Sequence, residues 1–282
     1  MIRIISDSTC DLSKELIEKY NVYIVPLHIV LGDDEFLDGV NITPDDIYAW
    51  SDANNATPKT SAVSIEEAAE AIKQFTDQGD QVVIFTIASG MSTTNNVFRL
   101  AVSELEAEEQ VRIIDSANLS TGVGLQVIEA ALLAREGKGL DEIVSAITTI
   151  TPKVRASFVV DTLTYLHRGG RCSGLAALAG GMLKLHPKIV VKNGVMGPDK
   201  KYRGKMDSVI LSYAKEMEEE LRNARKDRVF ITHSGCSQES IDSVKEYLES
   251  LGIFEEILVT RAGGVVSSHC GPGTLGVLFI AE

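Results

Sequence analysis

The chain has 282 residues, of which 44% are hydrophobic, so it can bury a full core as one large domain or two of ordinary size. Its formal net charge of −13 argues against nucleic acid as a partner, because proteins that bind nucleic acid carry a basic face that neutralises phosphates. No apolar run reaches the roughly 18 residues of a membrane span, and the N-terminus lacks the apolar stretch of a signal peptide, which predicts a cytoplasmic protein without a membrane span.

The first half of the chain alternates short apolar strands with amphipathic helices. Strands are predicted at residues 2–7, 81–85 and 111–115, with extended chain at 21–30. Helices are predicted to begin after the capping residues Ser13, Thr43 and Ser64. A later helix is expected to face inward through Val97, Leu100, Ala101 and Leu105. Repeated strand-then-helix order predicts a parallel sheet covered on both faces.

The pattern changes after Pro152, where the charge also changes sign. Residues 153–205 carry 11 Lys and Arg against 2 Asp and Glu. A predicted strand pair reverses at Asn193 and Gly194, a dipeptide typical of hairpins. Further helices and strands follow up to the C-terminus. We therefore predict an α/β protein of two domains, a parallel-sheet domain (1–152) and an α+β domain (153–282), with a ligand site in the cleft between them.

Motifs of familiar cofactor and metal sites are absent or incomplete. No phosphate-binding P-loop sequence is present, and the glycine motif at 271–276 leaves no room for the helix and strand that a dinucleotide-binding fold requires after it. The 5 His and 4 Cys do not form the spacings of metal ligands. We expect neither a metal nor a cofactor.

Hydroxyl side chains cluster where the strand at 81–85 leads into a helix. Ser89 and Ser92 are accompanied there by Thr93 and Thr94, and the first amides of the helix lack internal partners, which favours a carboxylate or phosphate ligand. A second group, Thr60 and Ser61, precedes the helix that Ser64 caps. Those two hydroxyls either complete the anion site or serve only as caps.

A serine hydrolase is the alternative interpretation of the same residues. Ser89 or Ser92 follows a strand and precedes a helix, as a nucleophile does at a strand-to-helix turn, and His269 could act as its base. The G-x-S-x-G sequence of such enzymes is absent, however. The aspartates that end two predicted strands, Asp7 and Asp115, are interpreted first as structural turn residues.

The chain resembles the DegV family, fatty-acid-binding proteins related to the FakB subunits of bacterial fatty acid kinase. The resemblance spans the whole chain. It rests on an ordered set of short sequences: SDSTCDLS (6–13), PLHI (26–29), TSAVS (60–64), SGMS (89–92), DSANLSTG (115–122), LTYLHRGGRCS (163–173), KLHPKIVVKNG (184–194), RGK (203–205) and HCGPGTLG (269–276).

The resemblance implies a two-domain DegV-like fold that holds one long-chain fatty acid in its first domain, with the carboxylate near the interdomain cleft. The implied carboxylate-binding residues are Thr60, Ser61, Ser89, Ser92 and His269. A partner kinase would phosphorylate the bound carboxylate for phospholipid metabolism, so the protein would have no catalytic activity of its own. This chain departs from the family's common S-S-x-x-S-G-T-Y-Q sequence at Ala88, Thr93, Asn95 and Asn96.

The basic segment 153–205 has two interpretations. It is either a docking surface for the kinase, through Arg171 and Arg203, or an ordinary solvated face; Arg171 alone has the further alternative of pairing with an acidic group of the first domain and holding the cleft shut. The docking hypothesis predicts that Arg171→Glu leaves fatty-acid affinity unchanged, because the tunnel belongs to the other domain.

Overall fold

The computed structural model describes residues 1–172 and 185–282; Ser173 and Lys184, which belong to two of the sequences quoted above, lie outside them. The strands are β1 (Ile2–Asp7), β2 (Val22–Val25), β3 (His28–Leu31), β4 (Asp34–Leu37), β5 (Lys59–Ser61), β6 (Gln81–Thr86), β7 (Val111–Asp115), β8 (Val154–Val159), β9 (Leu185–Lys192), β10 (Val195–Arg203), β11 (Ala224–His233), β12 (Glu256–Arg261) and β13 (Leu275–Ala281). The helices are α1 (Lys14–Tyr20), α2 (Pro44–Asn54), α3 (Ile65–Thr76), α4 (Thr94–Glu104), α5 (Thr121–Arg135), α6 (Leu140–Ile150), α7 (Thr164–Gly169), α8 (Met206–Glu216), α9 (Glu218–Arg222), α10 (Gln238–Ser250) and α11 (Gly264–Cys270).

The strands form three sheets. The first sheet is parallel throughout and has the order β2-β1-β6-β7, which confirms the parallel sheet predicted for the first half. The second is mixed, with the order β10-β9-β8-β13-β11-β12; only β11 and β12 run parallel there. A small antiparallel sheet, β4-β3-β5, stands beside the first. The mixed second half agrees with the predicted α+β character.

Helix α5 lies between the two large sheets and contacts β1 of one and β8 and β13 of the other. Every residue from Thr121 to Ala131 is buried, because this helix has no polar face to offer to water. One hydrophobic cluster accordingly contains side chains of both sheets. The two parts of the chain share a core, and the division into domains at residue 152 stays a prediction.

The helix caps and the hairpin turn predicted from short stretches of sequence are confirmed. Thr43 and Ser64 each form a capping box with the acidic residue three positions later. Asn193 and Gly194 both have positive φ, 51° and 76°, as a two-residue hairpin turn requires. Of the two alternatives for Thr60 and Ser61, the capping role is excluded, since both residues belong to β5 and pair with β3.

The predicted inward face of α4 was wrong at Leu100, which is 45% exposed. Phe98 is fully buried instead and packs in the cluster between the first sheet and its outer helices. The helix is therefore rotated relative to the pattern that its aliphatic residues alone suggest.

We predict that Leu125→Ala in α5 lowers the free energy of unfolding by about 2–5 kcal/mol, because the cavity it leaves is enclosed by two sheets. Leu100→Ala on exposed α4 makes the same chemical change and should cost no more than about 0.5 kcal/mol. Urea denaturation of the two variants measures the difference. Equal losses would contradict the central position of α5.

Candidate functional site

A cavity of about 470 Å³ lies where the first sheet meets α11 and the β9–β10 hairpin. All five residues proposed from the sequence line it: Thr60, Ser61, Ser89, Ser92 and His269. Its other walls are largely apolar and come from Leu27, Ile87, Met91, Leu119, Met196, Val265, Val266 and Cys270. The site is therefore a hydrophobic pocket with hydroxyl groups gathered on one side.

Ser89 and Ser92 are placed by the loop that joins β6 to α4. The Ala88 carbonyl accepts the N–H groups of Met91 (2.8 Å) and Ser92 (3.2 Å), which closes a tight turn. The Asp115 carboxylate accepts the Ser89 N–H, with its oxygens 3.2 and 3.3 Å away. Ser92 Oγ lies 2.8 Å from Thr94 Oγ1 at the start of α4. Asp115 thus has the structural role expected of it.

Asp7 fixes the same loop from the other side. It is fully buried and accepts the Ile87 N–H (2.8 Å) as well as the N–H and hydroxyl of Thr9. Burial raises the pKa of Asp7 to about 6, against the lowering effect of those hydrogen bonds. Its structural role is also confirmed.

Thr60 and His269 come together from opposite ends of the chain. His269 Nε2 lies 2.8 Å from Thr60 Oγ1, although the two residues are 209 positions apart. His269 Nδ1 is buried without a hydrogen-bond partner among the described residues. Burial, assisted by the positive charge of Arg171, lowers the pKa of His269 to about 4, so the imidazole is neutral at physiological pH.

Arg171 also lines the cavity. Its Nη1 donates to the Gly169 carbonyl (2.6 Å), and its Nε points to the Met91 carbonyl at 3.5 Å. The contact with the first part of the chain is thus to a backbone carbonyl, and the predicted pairing with an acidic group was wrong. A guanidinium in the wall also removes the reason to expect that Arg171→Glu would leave ligand binding unchanged.

Arg203 lies elsewhere. The backbone of Cys172, the neighbour of Arg171, forms an isolated β-bridge with Met196 near the start of β10. Arg203 is the last residue of that strand. At about 3.3 Å per residue, the two ends of β10 are roughly 26 Å apart. The predicted docking arginines therefore occupy opposite ends of one strand.

Part of the charge of the basic segment is neutralised within the protein. Lys188 is buried and 3.6 Å from Asp199, and Lys200 pairs with Glu216 at 2.5 Å. Glu216 belongs to α8, so acidic side chains outside the basic segment also offset its charge. The exposed cations of β9 and β10 are Lys192, Lys200, Lys201 and Arg203.

The departures from the family sequence are accommodated around the cavity. The small side chain of Ala88 lies against the hairpin turn, at 3.5 Å from the position of a Cβ on Gly194. Asn95 is buried and bridges Thr86 and Arg99 through its amide. Thr93 lines the cavity, and Asn96 is exposed.

Sequence reasoning missed several residues of the site. Met196 and Arg171 reach the cavity from the second half, and no local pattern marks them as lining residues. Gly169 also borders the site, because a Cβ there would overlap the His269 ring. The repeated glycines in HRGGRCS are the signal that could have indicated such a close approach.

Residues 1–172 and 185–282 contain neither a membrane-spanning helix nor a cluster of metal ligands. No helix in these ranges combines the length and apolar character needed to cross a membrane. No group of three or more potential metal ligands was found there either.

Comparison with known proteins assigns the chain to a family. The model of the DegV family, described as an uncharacterised protein family, matches residues 1–282. The chain belongs to the DegV family. A DegV domain-containing protein of Clostridium perfringens is 33% identical to it over 283 residues, covering 100% of this chain and 99% of the relative.

Solved DegV-family structures share the fold. A fatty-acid-binding member from Thermus thermophilus is 29% identical, with a TM-score of 0.91 and coverage of 100% and 99% of the two chains. A stearic-acid-binding protein from Eubacterium ventriosum is 30% identical, with a TM-score of 0.86 and coverage of 100% and 98%. The parallel four-stranded first sheet and the mixed second sheet are therefore those of DegV-family proteins.

We predict that Gly169→Ala breaks the hydrogen bond between Thr60 and His269, because the new methyl group overlaps the imidazole ring. The expected loss of unfolding free energy is about 1–3 kcal/mol, with a change in the His269 ring signals in NMR spectra. Gly197→Ala is the matched control, since a Cβ there meets nothing within 4 Å. Unchanged His269 signals in Gly169→Ala would show that the ring is not held by this contact.

Proposed function

We propose that this protein binds a long-chain fatty acid in the 470 Å³ cavity, with the carboxylate among the hydroxyl groups. The observation that carries the proposal is the convergence of Thr60, Ser61, Ser89, Ser92 and His269 on one apolar cavity. The related proteins from Thermus thermophilus and Eubacterium ventriosum, which bind fatty acids, support it.

The apolar walls suit an alkyl chain. The cavity volume lies within the roughly 300–1,000 Å³ typical of small-molecule sites. Each buried methylene contributes about 0.8 kcal/mol, so a dozen methylenes contribute roughly 10 kcal/mol before the cost of ordering the ligand. Affinity of this size is retained only if the carboxylate also finds partners, because an unpaired buried charge is costly.

The hydroxyl groups and Arg171 provide those partners. A neutral His269 donates its Nε2–H to Thr60 Oγ1, which leaves the Thr60 hydroxyl hydrogen for the ligand carboxylate. Ser61 and Ser89 are exposed at the cavity wall and offer further donors. Arg171 adds a positive charge near the same end, which offsets the negative charge of the ligand.

The hydrolase alternative receives no support from this geometry. His269 Nε2 faces Thr60 rather than Ser89 or Ser92, and no carboxylate among the described residues bonds to Nδ1. A serine nucleophile needs a base within hydrogen-bond reach, and that base needs a group to orient it. Asp115 accepts the backbone N–H of Ser89 and makes no contact with His269.

We further propose that the bound carboxylate is presented to a partner kinase for acyl-phosphate formation, and that the protein is not itself an enzyme. Exposure of Ser61, Ser89 and Arg171 at the cavity wall supports access from outside. The exposed cations of β9 and β10 supply a basic surface on an otherwise acidic protein, which suits an acidic region of the kinase.

We expect one long-chain fatty acid to co-purify with the chain, released on denaturation and identified by mass spectrometry.

Thr60→Val keeps the side-chain shape but removes the hydroxyl, and should weaken fatty-acid affinity by about 1–3 kcal/mol. Thr148→Val is the control, because that threonine is exposed on α6 and bonds only to its own helix. An empty protein that takes up no added fatty acid would refute the binding function, and fluorophosphonate labelling of Ser89 or Ser92 would favour the hydrolase.

The docking hypothesis is tested at Arg203 rather than at Arg171, because Arg171 lines the ligand cavity. Arg203→Glu is expected to lower acyl-phosphate formation at least tenfold with a cognate kinase and ATP, while fatty-acid affinity stays unchanged. Lys226→Glu reverses an exposed charge on β11, away from β10 across the sheet, and should have no effect. Equal turnover of the two variants would exclude Arg203 from docking.

A further inference from the structure

The first turn of α11, the helix that carries His269, is bound by two carboxylates from the first 40 residues of the chain. The Gly263 N–H donates to Asp11 Oδ1 at 2.8 Å. The Gly264 and Val265 N–H groups donate to Asp38 Oδ1 and Oδ2 at 2.6 and 3.3 Å. The first N–H groups of a helix have no partner within it, and here these two side chains supply the partners.

The carboxylates are themselves fixed on their other side. Ser120 Oγ donates to Asp11 Oδ2 at 2.5 Å, and Ser8 Oγ donates to Asp38 Oδ2 at 2.8 Å. Ser8 Oγ also accepts the N–H of Leu27, a residue of the cavity wall, at 3.2 Å. Asp11 and Asp38 are only 5% and 4% exposed, so water does not replace these bonds.

Two glycines allow the close approach of helix and carboxylates. A Cβ on Gly264 would lie 2.9 Å from Asp38 Oδ1 and 2.9 Å from Ile47 Cδ1. A Cβ on Gly263 would lie 3.2 Å from Asp11 Oδ1 and 3.3 Å from both oxygens of Asp38. The start of α11 is thus enclosed, with the two carboxylates directly against its backbone.

We propose that Asp11 and Asp38 are positioning residues, which hold α11 against the first sheet so that His269 meets Thr60 in the cavity. This inference rests on the proposed function, since its consequence for binding requires that the cavity takes a fatty acid. Neither aspartate lines the cavity, and each acts through α11.

The contacts at the start of α11 depend on the protonation of the two carboxyl groups. Burial raises the pKa of Asp11 to about 8 and also raises the pKa of Asp38. Asp11 and Asp38 face each other and Asp7, and the thiols of Cys10 and Cys270 face Asp11; burial raises the pKa of both thiols to about 12. A carboxyl group whose folded-state pKa is raised contributes stability below its unfolded pKa and loses it as the pH rises through the folded value. The packed position of α11, which buries the Asp11 carboxyl group, therefore loses stability as the pH rises towards about 8, where that group ionises.

Asp38→Ala leaves two backbone N–H groups buried without a partner. We expect palmitate affinity, measured by calorimetry at pH 7, to fall about tenfold to a hundredfold, as for other unpaired buried donors. Amide hydrogen exchange of residues 263–270 should accelerate by a similar factor. The control is Glu129→Gln, which removes a buried carboxylate that pairs with Arg225 and Arg228 on β11. It should lower global stability without selective exchange at 263–270 or a comparable loss of affinity.

Asp11→Asn supplies the pH-dependent readout. Asparagine keeps an oxygen for the Gly263 N–H but cannot ionise, so the ratio of variant to native palmitate affinity should rise between pH 7 and pH 9. The ratio cancels the titration of palmitate itself. A ratio that does not change over this range would overturn the role of Asp11.

The two proposals fail in distinguishable ways. If Asp38→Ala and Glu129→Gln change palmitate affinity and exchange at 263–270 equally, Asp38 is an ordinary stabilising residue and the positioning role is refuted. If the native chain takes up no palmitate, the proposed binding function fails, and the exchange of residues 263–270 alone decides whether the carboxylates hold α11.

Discussion

The complete burial of α5 is the constraint on which the two-part architecture depends. A helix buried on every side from Thr121 to Ala131 is stable only when both of its apolar faces are covered, and the two large sheets cover them. The sheets are thereby held in a fixed relation, with buried ion pairs from Glu129 to Arg225 and Arg228 added at the far end of the helix. The loops at the carboxyl ends of β1, β6 and β7 consequently face α11 and the β9–β10 hairpin, and the cavity forms from both parts.

The sequence predicts those features that near neighbours decide. Capping at Ser64 and the Asn193–Gly194 turn depend on residues within a few positions, so single-chain patterns suffice for them. The parallel first sheet also follows, because strand-then-helix order leaves few alternatives. The orientation of α4 could not be predicted in this way, because the side that faces the sheet is decided by packing against α3 and the strands. Phe98 rather than Leu100 fills that space.

The candidate site was predictable only in part, because its contacts are non-local. The hydroxyl residues could be recognised, yet Thr60 and Ser61 had equally good readings as caps until β5 paired with β3. Net charge placed Arg171 in a docking surface, whereas the turn at Gly169 directs it to the cavity wall. The carboxylate at Asp38 carries no local signal at all, since its partners Gly264 and Val265 are more than two hundred residues away.

The departure at Ala88 shows which part of the site is set by backbone and which by side chains. The loop conformation depends on the Ala88 carbonyl, which accepts two N–H groups, and on the Ala88 N–H, which donates to the Asn118 carbonyl at 2.8 Å. None of these bonds uses the side chain of residue 88, so the hydroxyls of Ser89 and Ser92 keep their places with alanine there. The Ala88 methyl group lies beside the Asn193–Gly194 turn of the hairpin that carries Met196 into the cavity. A larger side chain at residue 88 would therefore press on that hairpin, whereas the backbone hydrogen bonds that place Ser89 and Ser92 do not depend on it.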